Sequence, residues 1–263
     1  MNPDDTQTPP TETAYRSRWG RFSPAMGWRA FWSEIVIVVL GVLIALAANE
    51  AVQNWNWRNK VQDGEIRLRE DMDYIFILAA EQYSTAACVQ AQLTDLSRKL
   101  TQSGQAWTPI TVNVDEATQT RFIVRIPSRN HVSPVWDSLI ADGTATRFTQ
   151  EAQRTYGSIS ARLERAQVLN DQANELNWRL MALTHPMALS DDARRYFLVN
   201  IEEFRGRYAA SSLQAGQRMN SIYDSGKAPE AKTVDTYIAE SGTVKFCKEH
   251  GYPIADWRDA LEQ

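Results

Sequence analysis

The sequence predicts a mainly all-α membrane protein. One N-terminal transmembrane helix continues into an antiparallel bundle of three or four long helices, with a small extended or β cap between the first two. Three observations predict this fold: an uncharged apolar run near the N-terminus, three long stretches without proline, and apolar residues at helical spacing in each stretch. Of the 263 residues, 43% are hydrophobic and 23% charged, which is typical of a folded chain.

Charge and cysteine content exclude several classes of protein. Lys and Arg number 28 against 32 Asp and Glu, so the net charge is −4, and no basic run is longer than two arginines. This balance argues against a nucleic-acid partner. Two cysteines cannot form a disulfide framework or a cysteine-only zinc site. No motif indicates a cofactor, and we expect none.

The first element is a transmembrane helix. The run from Ile35 to Asn49 carries no charge, and extending it to Phe31 and Val52 gives about 33 Å of helix, enough to cross a hydrocarbon core of about 30 Å. We assign residues 27–57 to this helix and its flanks, after a flexible tail over residues 1–26. Tryptophans, which favour the headgroup layers, lie on both sides: Trp28, Trp32, Trp55 and Trp57.

Two alternatives to a membrane span stay open. Ala45-Leu46-Ala47 after an apolar run could be a signal-peptide cleavage site, although the helical pattern continues through it. A buried helix of a soluble protein would normally keep a polar face, which this run lacks. Glu34 at the edge of the span is either an acid at the membrane interface or a contact to an arginine of a neighbouring membrane helix.

The orientation follows from the arginines before the span. Lys and Arg within about 20 residues of each end give a tie, but the N-terminal tail is short and arginine-rich. We therefore expect the N-terminal tail in the cytoplasm and the large C-terminal bundle to be exported.

Proline positions predict the long helices that follow. No proline occurs between Pro24 and Pro109, between Pro134 and Pro186, or between Pro186 and Pro229. Because a proline inside a helix costs about 3 kcal/mol or more, each stretch can hold one long helix. The bundle is assigned to residues 58–228.

The first bundle helix continues from the span to about Ser103-Gly104. Two heptad series run along it and predict a stripe against partner helices. Their members are Val61, Leu68, Ile75, Gln82, Val89 and Leu96, and Glu65, Met72, Ala79, Ala86, Leu93 and Leu100.

The second and third helices have their own caps and stripes. Thr149 is the predicted N-cap of the second, which ends at His185-Pro186, and Ser190 caps the third, which ends before Gly226. Apolar residues follow at intervals of mostly three and four. They are Tyr156, Ile159, Leu163, Ala166, Leu169, Ala173, Leu176, Leu180 and Leu183 in the second helix, and Phe197, Ile201, Phe204, Tyr208, Ala215, Met219 and Ile222 in the third.

Shorter elements complete the prediction. Residues 106–147 form the cap: nearly alternating segments around Ile110 and Arg121 predict a hairpin, and Ser133-Pro134 opens a short helix that closes at Gly143. Residues 229–263 hold two short helices. If the three long helices run up, down and up, this C-terminal region packs on the distal end of the bundle.

That tracing brings the two cysteines within reach of each other. Cys88 lies in the distal half of the first helix and Cys247 in the C-terminal region. They form either a disulfide, if the compartment is oxidising, or two buried free thiols.

Two tracts carry a resemblance to a known family. Phe31-Trp-Ser-Glu34 with the apolar run behind it leads into Asn54-Trp55-Asn-Trp57, and Trp136-Asp-Ser-Leu-Ile-Ala-Asp-Gly143 follows later. Together they resemble a family of uncharacterised bacterial single-span inner-membrane proteins with a Trp-rich membrane exit and a long helical region. The resemblance covers about a quarter of the chain. It implies a bacterial inner-membrane protein, whose exported bundle would lie in the periplasm, and it implies no functional residue.

The search for chemistry yields few candidates. Of the three histidines, His131 and His185 are expected in loops, and His250 lies three residues after Cys247, too few groups for a metal or nucleophile site. Asn170 and Asn177, one heptad apart beside the apolar stripe, either set the helix register or form a polar ligand site inside the bundle.

These observations predict a non-enzymatic, membrane-anchored helical bundle that acts through protein–protein contacts, as an accessory or scaffold subunit of a membrane complex. Its expected partners are the lipid bilayer and another membrane protein or a second copy. The alternative is a periplasmic ligand-binding sensor bundle that signals through a partner chain.

Overall fold

Helix dominates the computed structural model, which describes residues 28–109, 113–114, 121–127, 129–130 and 133–262. The prediction of a mainly helical fold is confirmed; the predicted flexible tail lies outside the described residues. The α-helices of the described part are α1 (Trp28–Gln102), α2 (Pro134–Ala141), α3 (Gln150–Arg179), α4 (Asp191–Asp224), α5 (Ala231–Glu240) and α6 (Gly242–Glu249). The strands are β1 (Ala106–Trp107), β2 (Asn113–Val114), β3 (Arg121–Phe122) and β4 (Met187–Ala188).

The chain divides into two compact units between Trp55 and Asn56. The first unit contains the apolar start of α1. The second unit contains the rest of α1 and every other described element. Below, the two ends of this second unit are called the Gly64 end and the Leu100 end, after the residues of α1 that lie there.

The long helices form where the sequence predicts them. Thr149 Oγ1 accepts a hydrogen bond from the Ala152 amide, and Ser190 Oγ accepts one from the Ala193 amide, so both predicted N-caps are confirmed. Gly226 adopts φ +68° just after α4, a left-handed conformation that glycine accepts without steric cost. The apolar stripes are buried at nearly every predicted position, which includes Leu68, Leu93 and Leu100 at 0% exposure.

Two apolar clusters fill the second unit. At the Gly64 end, Met72, Phe76 and Ile159 pack with Met219 and Ile222. At the Leu100 end, a second set packs around α1; it includes Val89, Leu96, Ala173, Leu176, Phe197 and Ile201. Because α1, α3 and α4 contribute residues to both clusters, these three helices pack together along their length.

The segment between β3 and α2 is not a cap but a connection that runs back along α1. Arg125 pairs with Gln92, whose Oε1 accepts from its amide at 2.8 Å. Further on, Arg129 Nε lies 3.3 Å from Glu81 Oε2, and a methyl carbon of the α2 residue Leu139 lies 3.1 Å from where a Gly64 Cβ would be.

The predicted cap at residues 106–147 is therefore only partly correct. An extended chain advances up to about 3.5 Å per residue and a helix only 1.5 Å. The short segment between β3 and α2 can therefore run from the Leu100 end back to the Gly64 end. The hairpin itself is present: β2 pairs antiparallel with β3. The strand β1, which follows α1, is not part of this hairpin. It pairs antiparallel with β4, which lies just before α4.

This return changes the order of the helices. α3 starts at the Gly64 end and runs parallel to α1, and α4 runs back from Arg194, whose guanidinium donates to the Ser103 carbonyl at 2.6 Å. The predicted up-down-up tracing was wrong because it assigned the return to a helix.

The position predicted for residues 229–263 was wrong for the same reason. Since α4 ends at the Gly64 end, α5 and α6 start there and pack along the middle of α1 rather than on its distal end. Val234 and Trp257 belong to the Gly64-end cluster, Tyr252 Oη donates to Asp95 at 3.2 Å, and the Ala255 amide donates to the Ser84 carbonyl at 3.0 Å.

Candidate functional site

The start of α1 is the most apolar surface in the described part of the chain. From Phe31 onward α1 is long and apolar enough to cross a membrane, with a mean hydropathy of 2.5 in its best window and none of that window buried. Trp28, Trp32 and Trp55 are exposed at 66%, 58% and 64%, and Glu34 is exposed as well. These are the residues that the sequence assigns to the membrane interface and to a partner contact.

Trp57 lies in the second unit, whereas the three exposed tryptophans lie in the first. Its ring is half-buried, with Lys60 Nζ 4.9 Å and the Arg147 guanidinium carbon 5.1 Å from its centroid. Cations over the face of an indole are attracted by the ring quadrupole. The ring of Trp57 thus packs against Arg147, just before α3, and its place at the membrane interface stays a prediction.

Cys88 and Cys247 are joined in a disulfide. Their Sγ atoms are 2.03 Å apart and their Cα atoms 5.9 Å, and both side chains are fully buried. The bond connects α1 to α6, 159 residues later. Cys247 is therefore no nucleophile, and the His250 ring beside it packs on Phe246, with centroids 4.1 Å apart.

A buried carboxylate lies about two helical turns before Cys88 on α1. Glu81 is 1% exposed; Ser241 Oγ donates to its Oε1 at 2.5 Å, and Arg129 Nε to its Oε2 at 3.3 Å. Burial alone would lower the pKa of Arg129, but the charge of Glu81 and the hydrogen bond to it raise that pKa above its ordinary value. This cluster fastens the returning connection and α6 to α1.

Asn170 and Asn177 of α3 serve the same connection. Both are buried. Asn170 Nδ2 donates to the Arg129 carbonyl and Asn177 Nδ2 to the Val124 carbonyl, each at 3.0 Å. Extended chain leaves such carbonyls unpaired unless side chains reach them. The two asparagines therefore hold the returning connection, a role that neither sequence-based interpretation proposed.

A polar groove lies between α3 and α4 in the described part of the chain. It has a volume of about 460 Å³, within the usual range of small-molecule sites. Its lining residues are Ser158, Ala161, Arg162, Arg165, Gln214 and Gln217. Two guanidinium groups, two amides and one hydroxyl thus face it, without a carboxylate.

Beneath this region lies Arg218 of α4, a buried arginine at 1% exposure. Its Nη2 donates to Gln82 Oε1 at 3.1 Å, while Nε and Nη1 have no hydrogen-bond partner among the described residues. Burial, and next the positive charge of Arg162, lower the pKa of Arg218 to about 10.

The sequence reasoning missed all three arginines of this region, although one signal was present. Arg218 lies three residues after Ala215 and four before Ile222, so it occupies a core position of the apolar stripe. Arg162 and Arg165 look like ordinary surface residues of α3, because only the position of α4 makes a groove of them.

The remaining candidates contribute no further site. His185 is exposed after α3, and His131 lies outside the described residues. Within the described ranges, no three His, Cys, Asp or Glu side chains are close enough together to hold a metal ion.

Comparison with known proteins adds no relative: no family model matches the chain, and no curated protein and no solved structure is found to be similar to it.

Proposed function

We propose that this protein is a non-enzymatic, membrane-anchored helical bundle that acts through protein–protein contacts. The observation that carries the proposal is an outward stripe on α4. Val199, Gly206 and Leu213 follow one another at heptad spacing and are exposed, Val199 and Leu213 at 61% and 63%. Tyr196 and Ala210 lie beside them and are also exposed.

This stripe has the spacing of a coiled-coil seam, and in the described structure no element covers it. Seven-residue spacing of apolar residues fits a second helix laid along the first, and a small residue such as Gly206 allows close approach. One charged residue, Glu203, lies within the stripe and pairs with Arg207 beside it. The proposed occupant is a helix of another membrane protein.

The apolar start of α1 and the disulfide support the proposed location. An exposed apolar helix of this length can cross a lipid bilayer, and disulfides persist in oxidising compartments such as the bacterial periplasm. The proposal is a bacterial inner-membrane protein with an exported second unit, in keeping with the family that the sequence resembles.

Purification from native membranes in mild detergent tests the contact. A second protein in fixed ratio is expected, and Val199→Glu with Leu213→Glu should release it without changing the thermal unfolding of the second unit. Val168→Glu, at an exposed position of α3 (55%), is the matched control and should retain the partner. A particle containing this chain alone would overturn the proposal.

Location has its own test, with a membrane-impermeant maleimide. Glu164→Cys, on the exposed side of α3, should be labelled in intact spheroplasts, and Ser17→Cys only after lysis. The reverse pattern would overturn the orientation while leaving the contact proposal in place.

A second function, a ligand-binding sensor bundle, is favoured by the groove between α3 and α4. The lining of the groove, two arginines and two glutamines without a carboxylate, favours an anionic ligand.

A further inference from the structure

The arginines of the α3/α4 groove lack the partners that other arginines of the same helices have. Arg179, Arg205 and Arg207 each pair with an acid three or four residues away on their own helix. Arg162 and Arg165 have no acid at these distances in the sequence, and in the described part of the chain no ion pair includes them.

The two arginines instead lie three residues apart on one face of α3. Like charges at this spacing repel each other and destabilise a helix. No carboxylate lines the groove to offset this repulsion. An anion between the two guanidinium groups would remove the repulsion and use their planar donors, which fit oxyanions bidentately.

Arg218 adds a buried charge to the same neighbourhood. A buried guanidinium normally has its N–H groups paired, because an unpaired buried charge is costly. Here Nε and Nη1 have no acceptor in the described structure, and Arg162 is close enough to act on Arg218 electrostatically. Arg218 does not line the groove itself, but its charge and that of Arg162 act on each other from two neighbouring helices.

The neutral lining residues suit an oxyanion as well. Gln214 and Gln217 lie on α4 opposite the arginines, and each carries an amide N–H₂ that can donate; Ser158 adds a hydroxyl. The volume of about 460 Å³ exceeds that of a halide ion and suits a small polar molecule with more than one charged oxygen group.

We propose that the groove between α3 and α4 binds a small soluble oxyanion of at least two negative charges. Arg162 and Arg165 are its direct donors, Gln214 and Gln217 orient it, and Arg218 supplies positive potential from beneath. This site does not depend on the contact stripe of α4, and it assigns a ligand class to the sensor function.

Isothermal titration of the full-length protein with sodium pyrophosphate tests the site, in a neutral detergent at constant ionic strength and without divalent cations. We expect saturable binding at one site per chain. Arg162→Gln and Arg165→Gln should each weaken it by at least about tenfold, since each removes a charged donor pair, about 1.4 kcal/mol per factor of ten.

The control is Arg195→Gln, an exposed arginine about 28 Å along α4 from Gln214 at 1.5 Å per residue. This variant changes the net charge by the same amount as the groove variants. Its affinity for pyrophosphate should stay within twofold of that of the original protein. Circular dichroism verifies that each variant is folded; both test positions are exposed, so loss of structure is not expected.

Three results would overturn the proposal. These are heat without saturation, binding that chloride at the same ionic strength abolishes, and equal weakening by the Arg195 control and the groove variants. None of these results bears on whether a protein partner co-purifies, so the contact proposal and the groove proposal fail independently.

Discussion

Arg218 is a charge that the fold retains at a cost. One of its nitrogens reaches Gln82, while Nε and Nη1 face no acceptor in the described structure. Replacing a buried ionic group by an apolar side chain of similar length is often neutral or stabilising. Residues that lower the stability of a fold and make few contacts within it are typical of binding sites.

Arg218→Met should therefore raise the free energy of unfolding by about 1 kcal/mol in buffer without multivalent anions. It should also weaken pyrophosphate binding. Urea unfolding of the full-length protein measures the first effect, with Arg195→Met as a control that should stay within about 0.5 kcal/mol of the original protein. A destabilised Arg218→Met protein would mean that the guanidinium is a structural group.

Asp235 ties the last turn of the chain to α5 in a pH-dependent way. It accepts from Arg258 Nη2 at 2.6 Å and from the buried Trp257 Nε1 at 3.0 Å. The hydrogen bond from Arg258, followed by the one from Trp257, lowers the pKa of Asp235 below its ordinary value. Its stabilising contribution is therefore fully present above the unfolded pKa of about 3.9 and is lost as the pH falls through the lower folded value.

Asp235→Asn should lower the urea midpoint slightly at neutral pH, because the pair is largely exposed and solvent screens it. The difference between the variant and the original protein should shrink as the pH is lowered below about 3.9. A difference that stays constant from pH 7 to pH 3 would show that the charge of Asp235 contributes nothing.

At the scale of elements, the contact between α2 and α1 depends on a missing side chain. A Cβ on Gly64 would approach Leu139 Cδ2 to 3.1 Å and Phe148 Cζ to 3.3 Å, whereas nothing lies within 4 Å of the corresponding position at Gly206. Both glycines lie inside long helices, so a comparison of the two separates crowding from helix propensity.

Gly64→Val should lower the free energy of unfolding by about 1–3 kcal/mol through overpacking, while Gly206→Val should be neutral or slightly stabilising. Urea unfolding of both variants gives the comparison. Equal effects at the two positions would contradict tight packing of α2 against α1.

The sequence predicts some elements well and others poorly, for a physical reason. Leu68, Met72 and Leu93 were assigned to the core because helical burial repeats every three or four residues and is visible locally. The extended stretch at Val124 and Arg125 has no such period, and its partners Gln92 and Asn177 are far away in sequence. Its return along α1, and the reversed direction of α3 and α4, could not be foreseen from local patterns.

At the scale of the whole molecule, the disulfide is the largest single stabilising constraint. The chain-entropy model gives about 5 kcal/mol for closing a loop of this length, on the order of a small protein's total stability. Cys88→Ser with Cys247→Ser should lower the free energy of unfolding by about that amount, and reduction of the original protein should have the same effect. Unchanged urea midpoints in both experiments would contradict this.

The connection between Cys88 and Cys247 also sets the order in which the molecule can be completed. α1 is synthesised first, yet the surfaces around Phe76 and Cys88 are covered by Trp257 and Cys247, which are synthesised last. Until then the nascent chain presents an apolar face and a lone thiol to its neighbours, a state that favours aggregation. The Cys88–Cys247 bond can form only after Cys247 has emerged. An oxidase that reaches Cys88 earlier leaves it in a mixed disulfide with another molecule, until the thiolate of Cys247 displaces that molecule.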